Sequence, residues 1–408
     1  MEPLRIKTTS LGISLVLLGV PLGMYLNYFL GNVNASVFTM TLSIAFLLFK
    51  EKMSFYIKKD FKLILLFQIF MLFYWSLSNN STTHTLVFHL YILALILSLS
   101  NVNRINGNEV LLYTFVLSSI LTIVGIYLDF NNLIVGDEAW LLRQDNKNYT
   151  LEAFTVSSGA LTGYYAGLII NKNSVIKKLV VFFFLLADFY LIWACGKRTP
   201  LILLIICTII YLFKKSQTNN ITSILSVSIK VILLGYVLVS ILLLNQTFQD
   251  EFVKQTTNIY NGVLNILGNK DVSDMSGSAI FRYKLRMILY DFMQNNFNIL
   301  NYVLGYGYMG KWEQIDNPIL QSYFDMGIIG LIGYCWLVVL YPLKSLFRRN
   351  MNNLQLFFVF CCLFNVFSSI SSGNPYMYIK YTTVCLLIFS FEIKKGNMIY
   401  KCNSLVKN

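Results

Sequence analysis

Apolar runs approaching the thickness of a bilayer recur along almost the whole chain, separated by short polar stretches. They fall near 11–30, 33–49, 61–78, 86–100, 110–128, 151–170, 179–194, 200–213, 224–244, 327–343, 354–372 and 379–391. A run of about 20 apolar residues crosses the hydrocarbon core as one helix, so the pattern predicts an all-α polytopic membrane protein with about 12 transmembrane helices. The shorter runs, such as 86–100 and 200–213, must borrow from their flanks or thin the bilayer. The first run, "LGISLVLLGVPLGMYLNYFL", carries no small-residue cleavage motif and is expected to stay as a first span. Residues 1–408 form one expected integral membrane domain.

Composition agrees with the pattern. Of the 408 residues, 56% are apolar and only 12% charged, and the mean hydropathy is +0.61. Such a chain belongs in lipid.

Charge supplies the orientation. With both termini in the cytoplasm, the connections on that side hold 20 Lys and Arg against 5 acids, and the outer side holds 11 against 13. The net charge of +13 is then a topology signal, and a nucleic-acid partner loses its support. Two further charges, counted on neither side, fall inside spans. Lys230 reads as the cytoplasmic start of a helix, and Asp188 as a polar contact between helices.

Cysteine and histidine add no chemistry of their own. Five of the seven cysteines lie in spans, with Cys195 near the outer face and Cys402 in the tail, which implies no disulfide or metal framework. His84 and His89 are five apart, a spacing that suits no helical metal site, so no metal is expected. There is no Walker-type loop, and no nucleotide or other cofactor is expected.

Two outer segments are long enough to do chemistry: 129–150, and a large loop at 245–326 between spans nine and ten. Within the second, "SGSAIFRYKLRMILYDFMQNNF" repeats apolar residues at Ile280, Leu285, Ile288, Leu289 and Phe292, which predicts a helix capped near Ser276–Ser278. Arg282 and Arg286 are four apart and share one face, where they could grip one anion or lie on a solvated surface. Gly305, Gly307 and Gly310 mark a turn-rich loop rather than a dinucleotide site, for no βαβ context follows. Gly327, Gly330 and Gly333 recur every three residues, a spacing that serves close helix packing.

A hairpin tip at 194–213, "ACGKRTPLILLIICTIIYLF", sets Lys197 and Arg198 before a helix start. Thr199 suits its N-cap and Pro200 its first turn. Two cations beside the positive end of a helix make an anion site at headgroup depth, whereas the bland alternative is a pair of snorkelling anchors. Cations on the outer side run against the usual bias, which favours the functional reading.

The order of these pieces resembles the Wzy-type O-antigen and capsular polysaccharide polymerases, relatives of the O-antigen ligases. The matching residues are Gly196 to Thr199, Ser276 to Arg282, Gly305 to Gly307, and Asp316 to Gly330. The likeness rests on their order over nearly the whole chain, since no single piece is specific. It implies a glycosyltransferase at the outer face of a bacterial cytoplasmic membrane, joining polyprenyl-diphosphate-linked oligosaccharide repeats without metal or nucleotide. Donor, acceptor and bilayer are the implied partners, with a flippase and a chain-length regulator of the same pathway as further candidates.

That chemistry asks for fixed cations to meet the departing diphosphate, and arginine binds phosphate oxygens through a planar fork. Lys197, Arg198, Arg282 and Arg286 are the candidates, and Arg143 of the first outer loop joins them in binding substrate. It also asks for a general base. The ligase relatives carry a histidine before the asparagine of the motif, and this chain carries Asp316 before Asn317, so the expected catalytic set is Asp316, Arg198 and Arg282. Thr199, Asn317, Gly305 and Gly307 complete the expected substrate contacts. Ligase activity, and in a different class a lipid-linked oligosaccharide flippase, remain the alternatives at this stage.

Overall fold

The computed structural model describes residues 2–30, 35–49, 56–78, 83–103, 105–130, 175–194, 277–308, 317–348, 351–371 and 374–405, with isolated positions within 159–162 and 203–257 and at Ile315. Among the described residues all regular structure is helical. The elements are α1 (Glu2–Leu30), α2 (Ala35–Leu47), α3 (Lys62–Leu77), α4 (Thr83–Asn101), α5 (Gly107–Phe130), α6 (Val175–Ala194), α7 (Gly277–Asn296), α8 (Ile299–Leu304), α9 (Pro318–Tyr334), α10 (Tyr341–Leu346), α11 (Asn353–Ser371) and α12 (Tyr378–Leu405). A π-helical stretch, Cys335–Leu340, joins α9 to α10.

Among the described residues, four helical stretches are long and apolar enough to cross a membrane: Ile6–Leu26, Lys59–Leu77, Gly107–Tyr127 and Pro318–Leu346. Shorter apolar helices include Ala35–Leu47 and Thr85–Asn101. Their outward faces are apolar too, with Leu66, Phe73, Ile123, Phe183 and Ile332 each more than half exposed. A surface of this kind in water would drive association, whereas in lipid it is the ordinary outer face of a membrane protein. The expected spans at 151–170, 200–213 and 224–244 lie mostly outside the described residues.

The chain divides into two compact units, Met1–Leu201 with Ile299–Asn408, and Ile202–Asn298. In the first unit α1 packs on α2 and α5, α4 on α3, α2 and α12, and α11 on α12. Polar side chains inside this core bond across helices. Ser14 Oγ donates to Val110 O at 3.0 Å and Ser43 pairs with Tyr91 at 2.9 Å. Asp188 of α6 accepts from the Thr122 hydroxyl of α5, the interhelical contact expected of it.

α7 is the described helix of the second unit. It covers the predicted segment, but its buried line differs from the expected apolar stripe. Leu289 and Met293 are buried with Arg286 half-buried one turn before them, whereas Ile288 is 53% exposed. Arg286, Leu289 and Met293 follow a 3-4 spacing, so Arg286 continues the buried line rather than sitting on a solvated face.

Candidate functional site

The best-defined polar site lies in the first unit, where the glycine turn after α8 meets a break in α9. α8 ends at Leu304, and Gly305 closes it by donating to Asn301 O at 2.7 Å with φ of 83°. Gly307 follows at φ 116°. Between them the backbone pairs with α9: Tyr306 N–H donates to Phe324 O at 2.8 Å and Gly307 N–H to Asp325 O at 3.0 Å. In an unbroken helix those two carbonyls would accept from Ile328 and Ile329. Gly327, at φ 63° and ψ −159°, takes a conformation essentially confined to glycine and breaks that register. The turn thus satisfies carbonyls that the break leaves open, which is how irregular backbone survives inside an apolar protein.

The two backbones touch. A Cβ on Gly305 would stand 2.2 Å from Asp325 O, and one on Gly327 2.2 Å from Val303 O. The sequence reading gives Gly327 a role in helix packing; the structure shows it against the last turn of α8 at Val303 and against Gly305, with α9 broken at that point. Gly333 does serve helix packing, with the Phe67 ring of α3 against its Cα.

α3 and α4 grip the same turn. Tyr74 donates to Leu304 O at 2.7 Å and Ser78 to Tyr308 O at 2.6 Å. The Tyr308 phenol meets His89 Nε2 at 3.0 Å, and His89 Nδ1 meets Gln68 Oε1 at 3.0 Å. On the other side the Tyr376 ring lies against Tyr308, centroids 4.0 Å apart, and its hydroxyl donates to Asp325 Oδ2 at 2.7 Å. Gln68, His89, Tyr308, Asp325 and Tyr376 are all buried. Burial pushes the Tyr308 and Tyr376 hydroxyls far above the ordinary tyrosine range, and the Asp325 charge pushes the same way, so both stay protonated donors.

A second buried group lies further along α9. Lys380, 1% exposed in the first turn of α12, donates to the Tyr334 hydroxyl at 3.1 Å, and Tyr334 pairs with Ser369 at 2.7 Å. A cation near a helix N-terminus opposes the dipole, and burial costs more unless it is compensated. Its hydrogen bond here goes to a neutral hydroxyl.

At the start of α9, Asn317 is the N-cap, its Oδ1 accepting from Leu320 N–H at 3.1 Å, with Pro318 in the first turn. Gln321 Oε1 reaches back to Ile315 N–H at 3.2 Å. Of the expected site residues, Gly305, Gly307 and Asn317 therefore stand at the two ends of one short connection. Asp316 lies between them in sequence but outside the described residues, as do Lys197, Arg198, Thr199 and Arg143. In the second unit Arg282 is described only in its backbone, and Arg286 buries its Nε without a hydrogen bond among the described residues. No group of three metal-ligating side chains occurs among the described residues.

The sequence reading missed Gln68, His89, Tyr308, Tyr376 and Lys380, and held Asp325 only as a substitute for Asp316 as general base. For His89 and Lys380 the available signal was an ionisable side chain inside an apolar run, which is costly enough to mark function by default. It was weighed only for Asp188 and Lys230. No protein-family model matches the chain, and no curated protein aligns with it.

Proposed function

We propose that the chain is a polysaccharide polymerase of the bacterial cytoplasmic membrane, transferring a growing glycan from one polyprenyl diphosphate carrier onto the next lipid-linked repeat. In this reading it spans the membrane about twelve times, with both termini in the cytoplasm and the site on the outer side. The observation that carries it is the pairing of two motifs of the resemblance. Gly305-x-Gly307 and the Gly327-Ile-Ile-Gly330 stretch are separate in sequence and touch backbone to backbone. Asn317, also in the motif, caps the helix that contains the break.

The chemistry divides among named residues. Asp316 takes the acceptor hydroxyl's proton as the new glycosidic oxygen bonds the anomeric carbon, and the carrier leaves as its diphosphate. Arg198, with Lys197, Arg282 and Arg286, meets the growing negative charge on that leaving group. Ligase activity uses the same donor and differs in acceptor.

A flippase is the second reading, and one observation favours it. Transporters place buried polar groups on broken helices, and α9 breaks at Gly327 beside buried Asp325. A deletion strain separates the three. Loss of a polymerase leaves single repeats on the surface glycan, loss of a ligase leaves long unattached chains, and loss of a flippase leaves lipid-linked repeats on the cytoplasmic side.

A further inference from the structure

We propose that His89 is a positioning residue for the Gly305–Tyr308 turn, held as one neutral tautomer by hydrogen bonds at both ring nitrogens.

The chain starts at Trp75, whose indole N–H can only donate, and it donates to Thr85 Oγ1 at 3.1 Å. The Thr85 hydroxyl then bonds the phenol oxygen of Tyr308. Tyr308 meets His89 Nε2, and His89 Nδ1 meets Gln68 Oε1, an amide oxygen that can only accept. The other end of the Gln68 amide faces the Met71 sulfur at 3.9 Å, which leaves the oxygen toward His89. Gln68 Oε1 can only accept, so Nδ1 carries the ring proton; a neutral ring then accepts at Nε2 from Tyr308, and the spent Tyr308 proton leaves Thr85 as the donor to Tyr308. Thr85 donates to Tyr308, Tyr308 donates to Nε2, and Nδ1–H donates to Gln68.

A proton added at Nε2 would turn the Tyr308 hydroxyl away from the ring and would leave a charged imidazolium facing a neutral amide and a neutral phenol. The neutral Nδ1–H form is thus the one that fits, in a site that excludes water: His89 is 1% exposed and Tyr308 and Gln68 are at 0%.

What the chain positions is the near end of the connection to α9. Tyr308 is held by its phenol at His89, by its carbonyl at Ser78 and by its ring between His89 and Tyr376, with centroids at 5.9 and 4.0 Å. The far end is held by the Asn317 cap and by Gln321 on Ile315. Asp316 lies in that connection in sequence. His89 touches no substrate in this scheme and acts through Tyr308.

The first test uses the full-length protein and does not depend on its activity. In a His84→Gln variant carrying 15N-labelled histidine, His89 is the only imidazole. Nitrogen NMR of the protein in detergent or bilayers should show one neutral ring protonated at Nδ1. Its Nε2 signal should move toward a free, unbonded nitrogen in the added Tyr308→Phe. An Nε2–H ring, a doubly protonated ring or an Nε2 signal indifferent to Tyr308→Phe overturns the proposal.

The second test rests on the polymerase reading. It uses the lipid-linked repeat extracted from the source strain lacking this protein. A glutamine amide can place an acceptor oxygen near the Nε2 position, whereas an asparagine reaches only the Nδ1 side. His89→Gln should therefore keep turnover within about twofold, while His89→Asn and Tyr308→Phe each lower kcat about tenfold, the equivalent of one net hydrogen bond, at nearly constant KM. The double variant should lose no more than either single one. Equal loss in the Gln and Asn variants, or multiplying losses in the double, sinks the positioning role. A wild-type protein that extends no glycan refutes the polymerase reading alone, and the NMR result then decides the tautomer by itself.

Discussion

Gly305 and Gly307 both sit at positive φ, yet their surroundings differ, and alanine at each position separates strain from collision. At Gly305 alanine bears about 1–2 kcal/mol for the left-handed backbone. Its Cβ also stands 2.2 Å from Asp325 O, a backbone atom that cannot swing aside. The turn must then part from α9 and lose the Tyr306–Phe324 and Gly307–Asp325 bonds, at about 0.5–1.5 kcal/mol each. The sum is about 2–5 kcal/mol. At Gly307 a Cβ meets nothing within 4 Å, so only the strain of about 1–2 kcal/mol remains. The assay is the unfolding midpoint of the purified protein in one detergent, read beside glycan extension by a complemented deletion strain. Gly305→Ala should be the less stable of the two by a clear margin and should abolish extension, and Gly307→Ala should retain much of both. Equal midpoints would refute the claim that backbone contact between the turn and α9 holds this site.

Three further perturbations test the assigned chemistry. Asp316→Asn should leave the protein inserted and able to bind donor while removing most chain extension, since an amide accepts no proton; normal long glycan would exclude this carboxylate as the base. Arg198→Lys keeps charge and loses the paired donors, so it should lower turnover by about 1.5–3 kcal/mol in activation free energy with little change in donor affinity. Wild-type turnover in both Arg198→Lys and Arg198→Ala would leave that residue a helix anchor. Lys380→Met replaces a buried cation by an apolar chain of similar length, and the unfolding midpoint should hold or rise; a marked fall would mean that the ammonium contact with Tyr334 is a net support of the fold.

The sequence was legible where a rule acts locally. Apolar length and periodicity located α2, α3, α4, α5 and α11 to within a few residues, whereas α9 begins and ends nine residues before its apolar run; the glycines at 305 and 307 declared a turn. α1 begins earlier and α12 ends later than the apolar runs, because helix formation does not stop where hydropathy falls. The site itself is a long-range object. Tyr308 and His89 are 219 residues apart, and Asp325 and Tyr376 are 51 apart, so no window along the chain contains both partners. Gly327 was only half legible, for a related reason. A glycine every third residue fits helix packing, and only the positive φ and the approach of Val303 distinguish a break from a smooth helix. The sequence reading takes His89 solely as a metal ligand lacking a partner, and its neighbours show the other use of imidazole, a hydrogen bond at each ring nitrogen.

The central claim is transfer of glycan between lipid carriers, and reconstitution measures it directly. Purified protein in liposomes, given the polyprenyl-diphosphate-linked repeat as both donor and acceptor and no nucleotide, should produce a ladder of two, three and more repeats. One polyprenyl diphosphate should be released for each bond formed. Folded wild-type protein that leaves the repeats single, or that only moves them intact from one leaflet to the other, would contradict the account.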